Sequence, residues 1–133
     1  MSNCLERLAD WGCDVAGALD RMADDEGFYL ECLHEVAEDP CFEQLEQALA
    51  EGNTRGAFDA AHALKGVLAN VGLTPMHDQI TQIVEPLRKG RNCGLSRKLR
   101  QLAKMRARLV DILAEESSGR ENVKGEASFQ SRG

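Results

Sequence analysis

At 133 residues and a net charge of −6, the chain is long enough to bury one core and too short for several domains. Aromatic residues make up only 5% while Ala, Leu, Glu and Arg are plentiful, which favours helices over sheets. No apolar run approaches the roughly 20 residues of a membrane span, and "MSNCLERLADWG" carries charges where a signal peptide needs its apolar stretch, so a cytoplasmic, membrane-free protein is expected.

Helical periodicity recurs along most of the chain. Val15, Leu19 and Met22 mark a short helix with Asp14 as candidate N-cap. Asp24 or Asp25 caps the next, which carries Phe28, Tyr29, Cys32, Leu33 and Val36 as its apolar set. Pro40, lacking a backbone donor, breaks or kinks the chain. A third helix with Phe42, Leu45 and Leu49 inward ends near Gly52-Asn53.

The fourth helix spans roughly Thr54 to Val71, with Phe58, Ala61, Leu64, Leu68 and Val71 as its core seam. Gly72 is placed to end it as a C′ residue. Thr74-Pro75 has the form of an N-cap followed by proline at the first helical position. Met76, Ile80, Ile83, Val84 and Leu87 form the stripe of the fifth helix, "KGRNCG" reads as a turn, and Leu95, Leu99, Leu102, Leu109, Ile112 and Leu113 line a long last helix. Beyond Glu116 the apolar rhythm stops, so residues 1–116 are expected as the domain and residues 117–133 as a disordered tail. Short connections between amphipathic helices predict an all-α, antiparallel bundle.

Cys4, Cys13, Cys32, Cys41 and Cys93 are odd in number and include no C-x-x-C pair, which predicts buried or idle thiols rather than zinc ligands or disulfides. The charge is unevenly spread. Fifteen acidic residues face three arginines in the first sixty positions, whereas Arg88 to Arg108 holds nine basic residues and no acidic one. No aromatic residue accompanies that basic stretch for stacking on bases, so a solvated helix face is expected and not a nucleic-acid site.

The stretch "AAHALKGVLANVG", residues 60–72, departs from ordinary helix chemistry. Glycine in a helix interior costs about 1 kcal/mol relative to alanine, yet Gly66 sits four residues after His62 and one after Lys65. At about 100° per residue, His62 lies about 120° from the centre of the core seam and Gly66 almost opposite the core. Lys65 falls at the core boundary, where its stem packs and its ammonium emerges. Arg55, Asp59, Ala63, Gly66 and Ala69 surround His62 on the same face, so the imidazole is expected to stand above a lowered surface. A neutral imidazole is a good nucleophile near neutral pH. A phosphoryl group accepted there would meet partial neutralisation from Lys65 and clearance for its donor at Gly66.

"HALKG", followed by Gly72, resembles the H-x-L-K-G…G signature of histidine-containing phosphotransfer (HPt) domains of bacterial two-component phosphorelays. "GCDVAGALDRMADDEGFYLECLHEV" resembles their lead-in, and "IVEPLRKG" the end of their following helix, so the resemblance covers about Gly12 to Ala114. It implies a four-helix bundle preceded by short N-terminal helices, with His62 as phosphoacceptor, Lys65 assisting electrostatically and Gly66 clearing space for the partner. It further implies that the phosphoryl group comes from a receiver-domain aspartate and passes to another receiver domain. The partners would be response-regulator receiver domains and a hybrid sensor histidine kinase. Mg²⁺ would sit on the receiver and no cofactor on this chain. The protein would be a monomeric carrier without a nucleotide site or turnover of its own; the competing reading is an adaptor of the same fold that binds receivers or kinases without phosphotransfer. Two features depart from the family pattern: Val67 follows Gly66 where a small residue is usual, and Val84 occupies the position of a glutamine that holds the inner histidine nitrogen in some members. Gln79 or Gln82 is the candidate substitute for that glutamine.

A di-metal bundle enzyme is the alternative from a different class. Glu31 and His34 fit E-x-x-H, and Asp59 and His62 fit a weaker D-x-x-H. Such a site also needs inward carboxylates on two further helices. Glu85 can offer one, but the last helix has no acidic residue before Asp111.

Overall fold

The structure, a computed structural model, describes residues 3–124, with side chains through residue 115. Among the described residues the chain forms α-helices and no strand: α1 (Asn3–Trp11), α2 (Val15–Arg21), α3 (Glu26–Ala37), α4 (Cys41–Ala50), α5 (Thr54–Asn70), α6 (Thr74–Arg88) and α7 (Ser96–Lys124). Helices α4 to α7 follow one another through short connections and pack neighbour on neighbour, while α3 and α1 both lie against α7. This is an all-α bundle whose core is a single cluster running from Cys4 to Leu113.

Side-chain caps set the starts of α2, α3 and α5. Asp14 accepts from the Gly17 amide at 3.0 Å, Asp25 from Phe28 at 3.0 Å, and Asn53 from Gly56 at 2.9 Å; each satisfies a backbone donor that the first turn leaves open. Asp25, rather than Asp24, is therefore the cap of α3. At α6 the expected cap moves by one residue. Leu73 is the N-cap, so Thr74 and Pro75 are the first two helical residues. The Leu73 amide still bonds Leu68 while its carbonyl already accepts from His77, which leaves no room for Thr74 outside the helix. The Thr74 hydroxyl instead donates to the Gly72 carbonyl at 3.4 Å.

The stripes read from the periodicity are buried in α5 and α6, apart from Phe58, which is only partly buried. On α3, Phe28 faces outward: it is 50% exposed, because Leu30, Leu33 and Ala37, with Tyr29 and Val36, set the inward direction of the helix. Helix α1 was not marked by the apolar spacing alone; Cys4, Leu5 and Leu8 bury it against α7. The α7 backbone remains helical past Glu116, as far as Lys124. Continuing i→i−4 bonds do not require an apolar stripe once a helix is nucleated. The rest of the expected tail, residues 125–133, lies outside the described residues.

Basic residues of α7 hold the outer elements to the bundle. The Arg106 guanidinium donates to the Ala37 carbonyl at 2.7 Å and to Glu43 at 2.8 Å and lies 4.4 Å over the Phe42 ring. Arg108 lies 4.8 Å over Trp11, and Arg7 of α1 pairs with Glu115. Part of the basic stretch is thus structural.

Candidate functional site

The α5–α6 turn is clamped from three directions. The Asp14 amide donates to the Gly72 carbonyl at 2.8 Å. The buried Tyr29 hydroxyl donates to the Val71 carbonyl at 2.7 Å. Arg21 donates to the carbonyls of Ala69 and Asn70 at 3.2 and 3.0 Å. These are carbonyls the last helical turn cannot satisfy itself, and a cation there also complements the helix dipole. Asn92 secures the other end, donating to Thr54 at 2.6 Å and to the Gly52 carbonyl at 3.3 Å. Helix α5 is therefore held at both ends, and the residues at its middle inherit a fixed direction.

His62 is exposed at that middle, as are Ala63, Gly66 and Ala69, while Lys65 is half-buried. The two motif glycines behave oppositely. At Gly66 an added Cβ would meet nothing within 4 Å. At Gly72, where φ is +70°, it would lie 2.4 Å from the Asp14 carbonyl oxygen. Gly72 is needed for the close approach of two turns, whereas nothing among the described residues requires Gly66 to lack a side chain.

Charge on this face is largely paired. Arg55 and Asp59 form an i,i+4 pair at 3.5 Å, and Arg88 lies 3.6 Å from Glu85. Lys65 has no ion pair among the described residues. An anion arriving beside His62 thus finds an uncommitted ammonium one turn away.

The ring of His62 rests on Phe58. Their centroids are 5.4 Å apart with the planes at 22°, and the Arg88 guanidinium lies 5.3 Å from the centroid of the same Phe58 ring. The sequence placed Phe58 in the core seam, and it is only partly buried there. Its position four residues before His62 was the available signal, because i and i+4 side chains meet on a helix surface. Arg88 belongs to another helix and carried no such signal.

The two candidate glutamines lie apart from the ring. Gln79 donates its amide to the Lys98 carbonyl at 2.9 Å, tying α6 to α7, and Gln82 is exposed. Among the described residues neither bonds His62, and no hydrogen bond reaches either nitrogen of its ring. Val84 is fully buried and has no hydrogen-bonding side chain. Among the described residues no three His, Cys, Asp or Glu side chains gather as a metal site, so Glu31, His34, Asp59 and His62 do not combine into one. Cys4 and Cys13 are buried, Cys32 and Cys41 half-buried and Cys93 exposed, and among the described residues none is joined in a disulfide. Burial pushes the Cys13 thiol up to about 12, which keeps it protonated and unreactive at neutral pH. No helix among the described residues is long and apolar enough to cross a membrane.

Comparison with known proteins adds one finding to this geometry. The family model described as "Hpt domain" matches residues 29–115. No curated protein matches the chain, and no solved structure does.

Proposed function

The chain belongs to the Hpt domain family, whose members carry phosphoryl groups on histidine in phosphorelays, and from that premise we propose that His62 is the residue that accepts and passes on the phosphoryl group here. The observation that carries this reading is the open space at Gly66 beside an exposed imidazole. A glycine that costs helix stability without serving any contact of its own chain serves something that comes from outside.

In the proposed step a ring nitrogen of His62 attacks the phosphorus of an aspartyl phosphate on a receiver domain. An N–P bond forms, the acyl P–O bond breaks, and the aspartate leaves as a carboxylate. The reverse sequence delivers the group to another receiver. Lys65 faces the three oxygens of the phosphoryl group as a point charge and offsets part of their negative charge. Arg55, Asp59, Ala63 and Ala69 form the low surrounding surface against which the receiver seats. Any Mg²⁺ in this scheme belongs to the receiver, and no step is assigned to a cofactor on this chain.

The experiment is radiolabel transfer from a phosphorylated receiver domain to wild-type protein and to His62→Gln. The variant is expected to take no label, since glutamine has no nucleophilic nitrogen at neutral pH, and the wild-type label should be acid-labile and base-stable as a phosphoramidate. Equal labelling of His62→Gln would place the phosphoryl group on another residue.

A further inference from the structure

We propose that Phe58 is a positioning residue for the phosphoryl-accepting histidine: its ring is the platform on which the His62 imidazole lies, and Arg88 holds that platform from α6. The inference rests on His62 being the acceptor. It goes beyond that reading because neither residue belongs to the H-x-L-K-G motif.

An exposed histidine on a helix has two free rotors. Its χ1 samples staggered wells and its χ2 is broad and roughly two-fold, so a nitrogen lone pair points toward an incoming phosphorus only part of the time. Among the described residues the ring nitrogens make no hydrogen bonds, and the ring pairs with that of Phe58. The near-parallel contact with Phe58, 5.4 Å between centroids, falls within the range of favourable ring pairs. It selects one rotamer without occupying either nitrogen. A hydrogen-bonding side chain would orient the ring by engaging one nitrogen; the apolar face leaves both available for the reaction.

Phe58 can serve because it is itself fixed. It is packed against the core at the edge of the α5 seam. The Arg88 guanidinium, 5.3 Å from its centroid, is close enough for a cation–π contact, and Glu85 at 3.6 Å steadies that guanidinium on α6. The imidazole, the phenyl ring and the guanidinium thus make a chain of contacts from α5 to α6. Orienting a reactant before the encounter lowers the entropic part of the barrier, and modest misplacement is costly in rate.

The test compares Phe58→Leu, Phe58→Tyr and Arg88→Ala with wild type and His62→Gln. Four quantities are measured: the single-turnover transfer rate from a receiver domain charged with acetyl phosphate, receiver affinity, melting temperature, and the NMR shifts of the His62 ring protons. Phe58→Leu keeps the apolar bulk and removes the ring. It is expected to slow transfer about tenfold at unchanged receiver affinity and to abolish the ring-current shift of the His62 protons. Phe58→Tyr should restore both, and Arg88→Ala should slow transfer by a smaller factor while partly relaxing the shift. A folded Phe58→Leu protein that transfers at the wild-type rate overturns the positioning role, provided His62→Gln is silent. If Phe58→Leu melts too low to assay, unchanged rate and shifts in Arg88→Ala overturn it instead. Label on His62→Gln would defeat the acceptor assignment itself, a result separate from either of these.

Discussion

At Gly66 the helix leaves room that its own chain does not use, since an added Cβ would find no atom within 4 Å. Two outcomes follow for substitution there. Gly66→Ala should raise stability by up to about 1 kcal/mol, the ordinary gain of alanine over glycine in a helix. Gly66→Gln should also fold, because glutamine is a good helix former and the position faces outward. Its long side chain would occupy the space the receiver needs, so receiver binding and phosphotransfer should fall while the melting temperature holds. Thermal melts paired with transfer assays check both variants. Full transfer by folded Gly66→Gln would leave the glycine without its proposed purpose. In the proposed reading the lysine beside it acts by charge alone, and a half-buried ammonium keeps much of its hydration, so its share is expected to be smaller than that of a buried pair.

Among the elements, α5 depends on the turn that follows it. Gly72 has φ +70° and its position lies against the Asp14 backbone, while Tyr29 and Arg21 bond the carbonyls just before it. An alanine there must adopt a left-handed backbone, which costs roughly 1–2 kcal/mol, and must also push the α1–α2 connection away. Gly72→Ala is therefore expected to destabilise by about 2 kcal/mol or more, lowering the melting temperature by roughly 8 °C. Calorimetry decides it; a variant as stable as wild type would mean that the two turns separate freely. Gly66 and Gly72 thus make opposite predictions for the same substitution. Pro40 shows the same local control as the N-cap of α4, two residues past the Glu38 C-cap of α3.

For the molecule as a whole, two buried neutral groups link folding to alkaline pH. Desolvation raises the Cys13 thiol from 9.0 to about 12, with Arg108 pulling the other way. Desolvation likewise raises the Tyr29 phenol above its usual value of 10.0. In both cases the folded state favours the protonated form, so the unfolded chain releases protons first as pH rises. The stability held by these groups is complete below about pH 9 and is lost as pH climbs toward 12. Melting temperature should accordingly fall between about pH 9 and about pH 12, and the fall should be shallower in Cys13→Ala. A profile of Cys13→Ala parallel to that of wild type would assign the alkaline loss elsewhere.

The sequence by itself determined the helices from α2 to α7, the Asp14 cap of α2, the stripes of α5 and α6 apart from the half-buried Phe58, and the outward direction of His62 and Gly66. Each of these is local: a 3.6-residue period, a capping side chain or a glycine is written within a few consecutive positions. The motif that resembles the Hpt family was legible for the same reason. Other features were decided only by the tertiary structure. The burial of α1 against α7 depends on a surface supplied from the far end of the chain. The shift of the α6 cap from Thr74 to Leu73 depends on how tightly the preceding turn closes. The engagement of Gln79 with Lys98 and the approach of Arg88 to Phe58 depend on how far α6 is rotated against its neighbours. Helical periodicity gives the face of a residue on its own helix, but not which atoms of another helix stand opposite it. That relation is set by the rotation and register at which cores interlock, and it is there that the platform beneath His62 is built.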